Sequence, residues 1–167
     1  MSVPARETTG TPVELHFASR LDACGEAVWQ WISSVRGISA ELWPFLRMTV
    51  PRGVGNLADV AFRPGVPLFR SRVFLFGVLP IGSSDLTLLE LVRGEGFVEQ
   101  SPNASMKLWR HERRITPAPG DESGVVLRDD LRFEPKWAPR LVSWFIARVF
   151  RHRHAVLRRN FGGAAAQ

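Results

Sequence analysis

The sequence contains no tyrosine, so no phenol is available as a general acid or as a hydrogen-bonding handle in the interior. It contains one cysteine, Cys24, which excludes an internal disulfide and fits a reducing compartment. A lone cysteine of this kind is expected to be a small buried hydrophobe rather than a nucleophile. Long apolar runs are missing too: stretches such as Val73–Leu75 and Val78–Leu79 are far too short to span a bilayer. The first residues, MSVPARETTGTP, lack the apolar core of a signal peptide, and a cytoplasmic location is therefore expected. The segment GVGN (53–56) lacks the Lys-Ser/Thr ending of a phosphate loop, and no nucleophile elbow occurs. No cofactor is expected. His152-x-His154 does not read as a metal pair, because residues two apart on a helix point about 200° apart.

What the chain does have is a bulky interior and one lopsided segment. Eleven Phe and six Trp, within a hydrophobic share of 45%, suffice for one core in a chain of 167 residues. Between Trp137 and Phe161 there are six arginines and no acidic residue, so the other 16 basic residues balance the 16 acidic ones and this segment carries the whole net charge of +6. Wound as a helix, it places Arg140, Arg148, Arg151, Arg158 and Arg159 on one polar arc. Leu141, Val142, Phe145, Ile146, Val149, Phe150, Val156 and Leu157 form the opposite, apolar arc. Arg153 falls inside that apolar arc and His152 on its edge. The polar arc allows at most peripheral contact with an anionic membrane, and nucleic acid is not expected as a partner.

Residues 1–11 read as a disordered tail. Val13, Leu15 and Phe17 alternate with polar neighbours as a half-buried strand does. Asp22 is placed to cap a helix that Gly37 ends, and Ser39 to cap a short second helix, Ala40–Trp43, that Pro44 stops. The stretch 47–67 is broken by proline and glycine, so no pattern sets its course, and it is a candidate lid. Five strands then follow, Phe69–Val78, Asp85–Val92, Gly96–Ser101, Ser105–Ile115 and Val125–Phe133, with a turn at Pro80–Ser84 among those that join them. Pro139 opens the last helix and Gly162–Gly163 closes it, leaving 162–167 as a frayed end.

This order resembles the START/polyketide-cyclase-like superfamily (SRPBCC), the helix-grip fold shared with birch-pollen-allergen-like proteins. The likeness is carried by VWQWISSVRGISAELWPFLRM (28–48), FLFGVLPIG (74–82), the Trp109–His111 pair, LRDDLRF (127–133) and ARVFRHRHAVLRRNF (147–161). It implies a single α+β domain over residues 12–161. A curved antiparallel sheet of six or seven strands would wrap a long C-terminal helix, with two short helices after the first strand. It also implies a cavity between sheet and helix, in a superfamily that includes lipid binders, cyclases and aromatases.

Three elements each turn one polar side chain inward: His111, Asp129 and Arg153. Trp109, His111 and Ile115 share a strand face, and Asp129 shares one with Val125, Leu127, Leu131 and Phe133. Symmetric pairing about Gly120 sets His111 opposite Asp129 and Trp109 opposite Leu131, with a slip of two residues as the alternative register. A buried arginine needs a carboxylate; Asp129 is the first choice for Arg153, then Glu41 and Glu90. The three polar groups either orient a ligand and exchange protons, or form a buried ion pair that fixes how the helix docks. Trp31, Trp109, Leu127, Phe133, Phe145 and Val149 are the expected walls of the cavity. The leading function is binding of a small, mostly hydrophobic molecule of polyketide, lipid or isoprenoid type. The alternatives are a cyclase, aromatase or dehydratase using His111 as base and Asp129 to orient it, and an interaction module acting through the basic helix face.

Overall fold

The computed structural model describes residues 11–166. The expected N-terminal tail therefore lies, except for Thr11, outside the described residues. The chain forms β1 (Val13–Leu21), α1 (Gly25–Ser33), α2 (Val35–Leu42), β2 (Leu46–Met48), a 3-10 turn (Leu57–Asp59), β3 (Pro67–Leu75), β4 (Leu79–Val92), β5 (Gly96–Glu99), β6 (Met106–Ala118), β7 (Asp121–Pro135), α3 (Pro139–Phe161) and β8 (Ala164–Ala165). The strands make one sheet in the order β2-β3-β4-β5-β6-β7-β1-β8, and every pairing is antiparallel. The sheet curls around α3, whose buried face runs through Ile146, Val149, Phe150 and Leu157. This is the helix-grip architecture, with eight strands instead of six or seven.

The two extra strands come from segments too short for alternation to reveal. Leu46–Met48 pairs with the end of β3. Ala164–Ala165, expected as part of a frayed end, returns to pair with Ser19 and Arg20. Gly163 makes that return possible: its φ is +105°, and a Cβ there would lie 2.0 Å from the Arg20 carbonyl oxygen.

The helix boundaries also differ from expectation. Gly37 does not end the first helix; it lies inside α2, which Ser34 caps by accepting a hydrogen bond from the Gly37 amide. Cys24, not Asp22, holds the N-cap position of α1, and its side chain is exposed rather than buried. The hairpin between β3 and β4 turns at Phe76–Val78, ahead of the expected Pro80–Ser84, with Phe76 and Gly77 both at positive φ. Leu141, assigned to the apolar arc, lies at its margin and is 62% exposed.

The buried apolar residues fall into two clusters. One joins Leu21, Val28, Trp29, Ile32, Ile115, Val125, Leu127 and Leu157. The other joins Leu42, Met106, Leu131, Phe133, Ile146, Val149 and Phe150. On β1, β6, β7 and α3 a polar residue separates the members of one cluster from those of the other, and that layer is the candidate site.

Candidate functional site: a buried polar layer beside an apolar hollow

Asp129 is wholly buried on the inner face of β7 and is surrounded by donors. Arg113, on β6, donates from Nε to Oδ1 at 2.6 Å and from Nη2 to Oδ2 at 2.7 Å. His111 Nε2 donates to Oδ1 at 2.7 Å, and His154 Nε2, from α3, to Oδ2 at 3.0 Å. Four donors saturate the carboxylate, which leaves it no capacity to accept a substrate proton. Arg113 spends its remaining arm on Glu41 of α2, at 2.8 Å. The same Glu41 oxygen accepts from Arg153 Nε at 2.9 Å, and its other oxygen from Trp31 Nε1 at 3.1 Å.

The partner of Arg153 is therefore Glu41, the second-choice carboxylate, and not Asp129. Glu90, the third, is an exposed partner of Arg114 on the other face of the sheet. The register explains the exchange. Trp109 pairs with Phe133, His111 with Leu131 and Arg113 with Asp129, two residues away from the symmetric pairing. A bulge beside the hairpin takes up the difference, since Ala118 pairs with Asp121 but Pro117 with Val125. His111 still reaches Asp129, from the neighbouring pair on the same face.

Arg113 and His154 were absent from the sequence-based set. Arg113 carried a signal, because it shares the inward alternation of Trp109, His111 and Ile115 on β6. His154 carried none apart from its helix position. Its Nδ1 lies 2.8 Å from Ser19 Oγ, which in turn accepts from Arg158 Nη1 at 2.7 Å. The Ser19 hydroxyl is thus placed to donate to His154 Nδ1. His152, by contrast, donates to the Trp43 carbonyl at 2.7 Å, so the two helix histidines serve separate partners.

Burial by itself would push the Asp129 carboxyl up; the charge and hydrogen bonds of Arg113, and then those of His111, outweigh it and hold the group well below the usual carboxylate range. Burial also opposes ionisation of Glu99, and there hydrogen bonding and charge from His111 prevail and lower it. For Arg153 burial and the like charge of Arg113 prevail over Glu41 and Asp129, and its pKa falls. Both carboxyls titrate lower folded than unfolded. The stability they contribute is therefore present above their ordinary values of 3.8 and 4.5 and drains away as pH falls through the folded values. The expected result is a urea midpoint that declines below about pH 4, with a shallower decline in Asp129→Asn. An unchanged acid limb in that variant would place the titration elsewhere.

Beside this layer, on the side of the second cluster, lies a hollow of about 460 Å³. Val73, Leu86, Leu88 and Phe97 of the sheet border it, with Ile38 and Leu42 of α2 and Phe145 and Val149 of α3 opposite. Met48, Val50 and Leu57 border it as well, so the irregular stretch 47–67 supplies one wall. The polar layer reaches the hollow at His111 and Arg153, next to Glu99. His111 is held edge-on to Phe97 and Phe150, and its Nδ1 is 3.7 Å from Glu99 Oε2. Among the described residues the only hydrogen-bond acceptor of Arg153 is Glu41, at Nε, and its Cζ lies 4.8 Å from the centre of the Phe150 ring. The two terminal amino groups of that guanidinium have no acceptor among the described residues.

Of the walls expected from sequence, Trp109, Phe145 and Val149 border the hollow. Trp31, Leu127 and Phe133 do not. Leu127 is in the first cluster, and Trp31 packs against it and meets the edge of Phe161 at 6.0 Å. Phe133 is fully buried behind Trp109. Asp129 is enclosed by its donors and stands behind the wall. No group of His, Cys, Asp and Glu among the described residues is arranged to hold a metal ion.

Element order, sheet topology and the gripped helix define the class: this is a START-like (SRPBCC) helix-grip fold. A START superfamily protein from Mycobacterium smegmatis superposes with a TM-score of 0.58 at 12% identity, over 89% of this chain and 96% of that one. The Zhui aromatase/cyclase from a Streptomyces species (strain R1128) gives 0.61 at 10% identity, over 87% and 91%. A protein of Thermus thermophilus gives 0.61 at 14%, over 88% and 95%. At such identities the likeness is one of fold. No curated protein matches the sequence. The chain belongs to the family described as a domain of unknown function, DUF8410, whose model matches residues 19–161. No helix among the described residues is long and apolar enough to cross a membrane.

Proposed function

We propose that the protein binds a small, mostly apolar molecule, of polyketide, lipid or isoprenoid type, in the hollow between the sheet and α3. The observation that carries this is an apolar hollow of about 460 Å³ lined in part by Arg153, whose only acceptor among the described residues is Glu41, at Nε. An empty interior space costs packing energy, and a guanidinium facing it lacks acceptors; a ligand with an apolar body and one oxygen-bearing end remedies both. Trp109, Phe145 and Val149 would hold the body, and Arg153 and His111 the polar end. Asp129 would act through His111 by fixing its Nε2. The fold shared with an aromatase/cyclase supports the polyketide class among the candidates.

The test is thermal unfolding with a panel of long-chain fatty acids, isoprenoid alcohols and polycyclic phenols. A matching class at 100 times its Kd contributes about 2.7 kcal/mol, or roughly 5–10 °C in Tm for a chain of this size. The Val73→Trp variant, which puts a bulky ring into the wall, should lose the shift. No shift with any class would sink the proposal.

The arrangement of His111 supports a second reading as a cyclase-, aromatase- or dehydratase-type enzyme, since Asp129 fixes Nε2 and Nδ1 lies at the hollow beside Glu99, a pair able to exchange a proton with a substrate. His111→Ala separates the two: a binder retains most of its affinity, and an enzyme loses turnover.

A further inference from the structure

We propose that the rim of the hollow is a docking face for an anionic lipid bilayer. Of the ten large apolar side chains exposed among the described residues, eight come from only three short segments. Phe76, Val78 and Ile81 stand on the β3–β4 hairpin and its following strand, and Trp137, Leu141 and Trp144 at the start of α3. All of these except Val78 line the same hollow, so exposed apolar side chains of both segments mark its opening. Trp43 extends the patch, with its ring over Gly77, where a Cβ would come within 2.7 Å of it. Exposure reaches 79% at Val78 and 62% at both Leu141 and Trp144. Single exposed apolar residues are ordinary, but a contiguous set around a cavity mouth marks a surface that is covered in use.

Charge selects the occupant. The stretches 42–58, 64–84 and 136–161, which carry the rim, contain no acidic residue. Arg140, Arg148 and Arg151 are exposed, and by helical spacing they share one side of α3 with Leu141 and Trp144. Indole rings beside guanidinium groups suit the headgroup level of a membrane, with the ring in the interface and the cation on the phosphate. The inward arc of α3 stays in the protein; docking uses the strip next to it. The inference is independent of which molecule fills the hollow.

Flotation of the full chain with extruded vesicles tests it. At low salt the protein should float with phosphatidylcholine–phosphatidylglycerol vesicles, far less with phosphatidylcholine alone, and be released by salt. Arg148→Glu should lower the partition roughly fivefold or more, from about 1 kcal/mol per basic residue near such a surface. Trp144→Ser and Val78→Asp should each lower it further without lowering Tm, because both side chains are exposed. Val73→Trp, which blocks the hollow, should still float, so failure of the ligand proposal and failure of this one are distinguishable. Absence of flotation at low salt, or wild-type flotation by all three rim variants, would overturn the proposal. So would a dimer that Val78→Asp dissociates, which assigns the patch to a second copy. Retention by polyglutamate without vesicle binding would assign it to an acidic protein instead.

Discussion

Asp129→Asn is expected to lower the unfolding free energy by about 3–5 kcal/mol, a fall of roughly 10 °C or more in Tm. The substitution preserves shape and removes only charge, so packing is not at issue. In the native protein the carboxylate accepts two hydrogen bonds from Arg113 and one each from His111 and His154. An amide offers one oxygen, and turns its NH2 toward a group that is itself a donor. As a charged partner Arg113 would keep only Glu41, whose oxygen it already shares with Arg153. Two buried guanidiniums would then rest on one carboxylate. Urea unfolding measures the loss, and a value under about 1 kcal/mol would mean that Asp129 is not what compensates Arg113. The double variant Asp129→Leu, Arg113→Met should recover much of the loss, because apolar residues of similar volume often replace a buried pair at little cost. The recovery separates the penalty of an orphaned charge from the worth of the pair.

Gly37→Ala is the second large effect, expected to cost about 3 kcal/mol, the upper end of the range for overpacking. In an open helix the same change would stabilise by about 1 kcal/mol through propensity, so the sign alone is diagnostic. A Cβ at this position would lie 2.1 Å from the Trp31 carbonyl oxygen and 3.0 Å from Ser34 Oγ. Both are atoms of the tight junction between α1 and α2, and the carbonyl cannot give way without moving a helix. Displacing α2 would carry Glu41 away from Arg113 and Arg153, so the change reaches the polar layer from outside it. Gly55→Ala is the control: nothing lies within 4 Å of a Cβ there, and its stability should be unchanged or slightly raised. Equal urea midpoints for Gly37→Ala and wild type would show that the two helices have room to part.

What could be read from the sequence followed the range over which each signal acts. Long periodic segments gave themselves away: the α3 pattern from Pro139 to Phe161 and the alternation along β6 and β7 required no knowledge of neighbours. His111, Asp129 and Arg153 were visible as polar residues on apolar faces, and all three lie in one connected set of hydrogen bonds. Their pairing was not visible. It depends on a bulge at Pro117–Ala118 that shifts the register by two residues, and on the height at which α2 crosses the sheet to deliver Glu41. Gly37 misled because glycine has two uses, ending a helix and permitting close approach, and the sequence does not say which applies. Leu127 and Phe133 misled differently. Both face inward as expected, but inward includes solid core as well as open space. The full rim was not legible because Phe76 and Ile81 lie far along the chain from Trp137 and Leu141, and only the fold brings them to one hollow.

The placement of the charged stratum across the middle of the molecule has an evolutionary consequence. It acts as a bulkhead. On one side is a filled compartment built on α1, where each side chain locks its neighbours and replacement is costly. On the other is a compartment that already contains void, so its lining can change size with less penalty. Lineages can therefore exchange wall residues such as Val73, Leu86 or Phe145 and reshape the hollow while the bulkhead and the filled compartment keep the protein folded. Drift in the shape of the hollow is thereby uncoupled from survival of the scaffold.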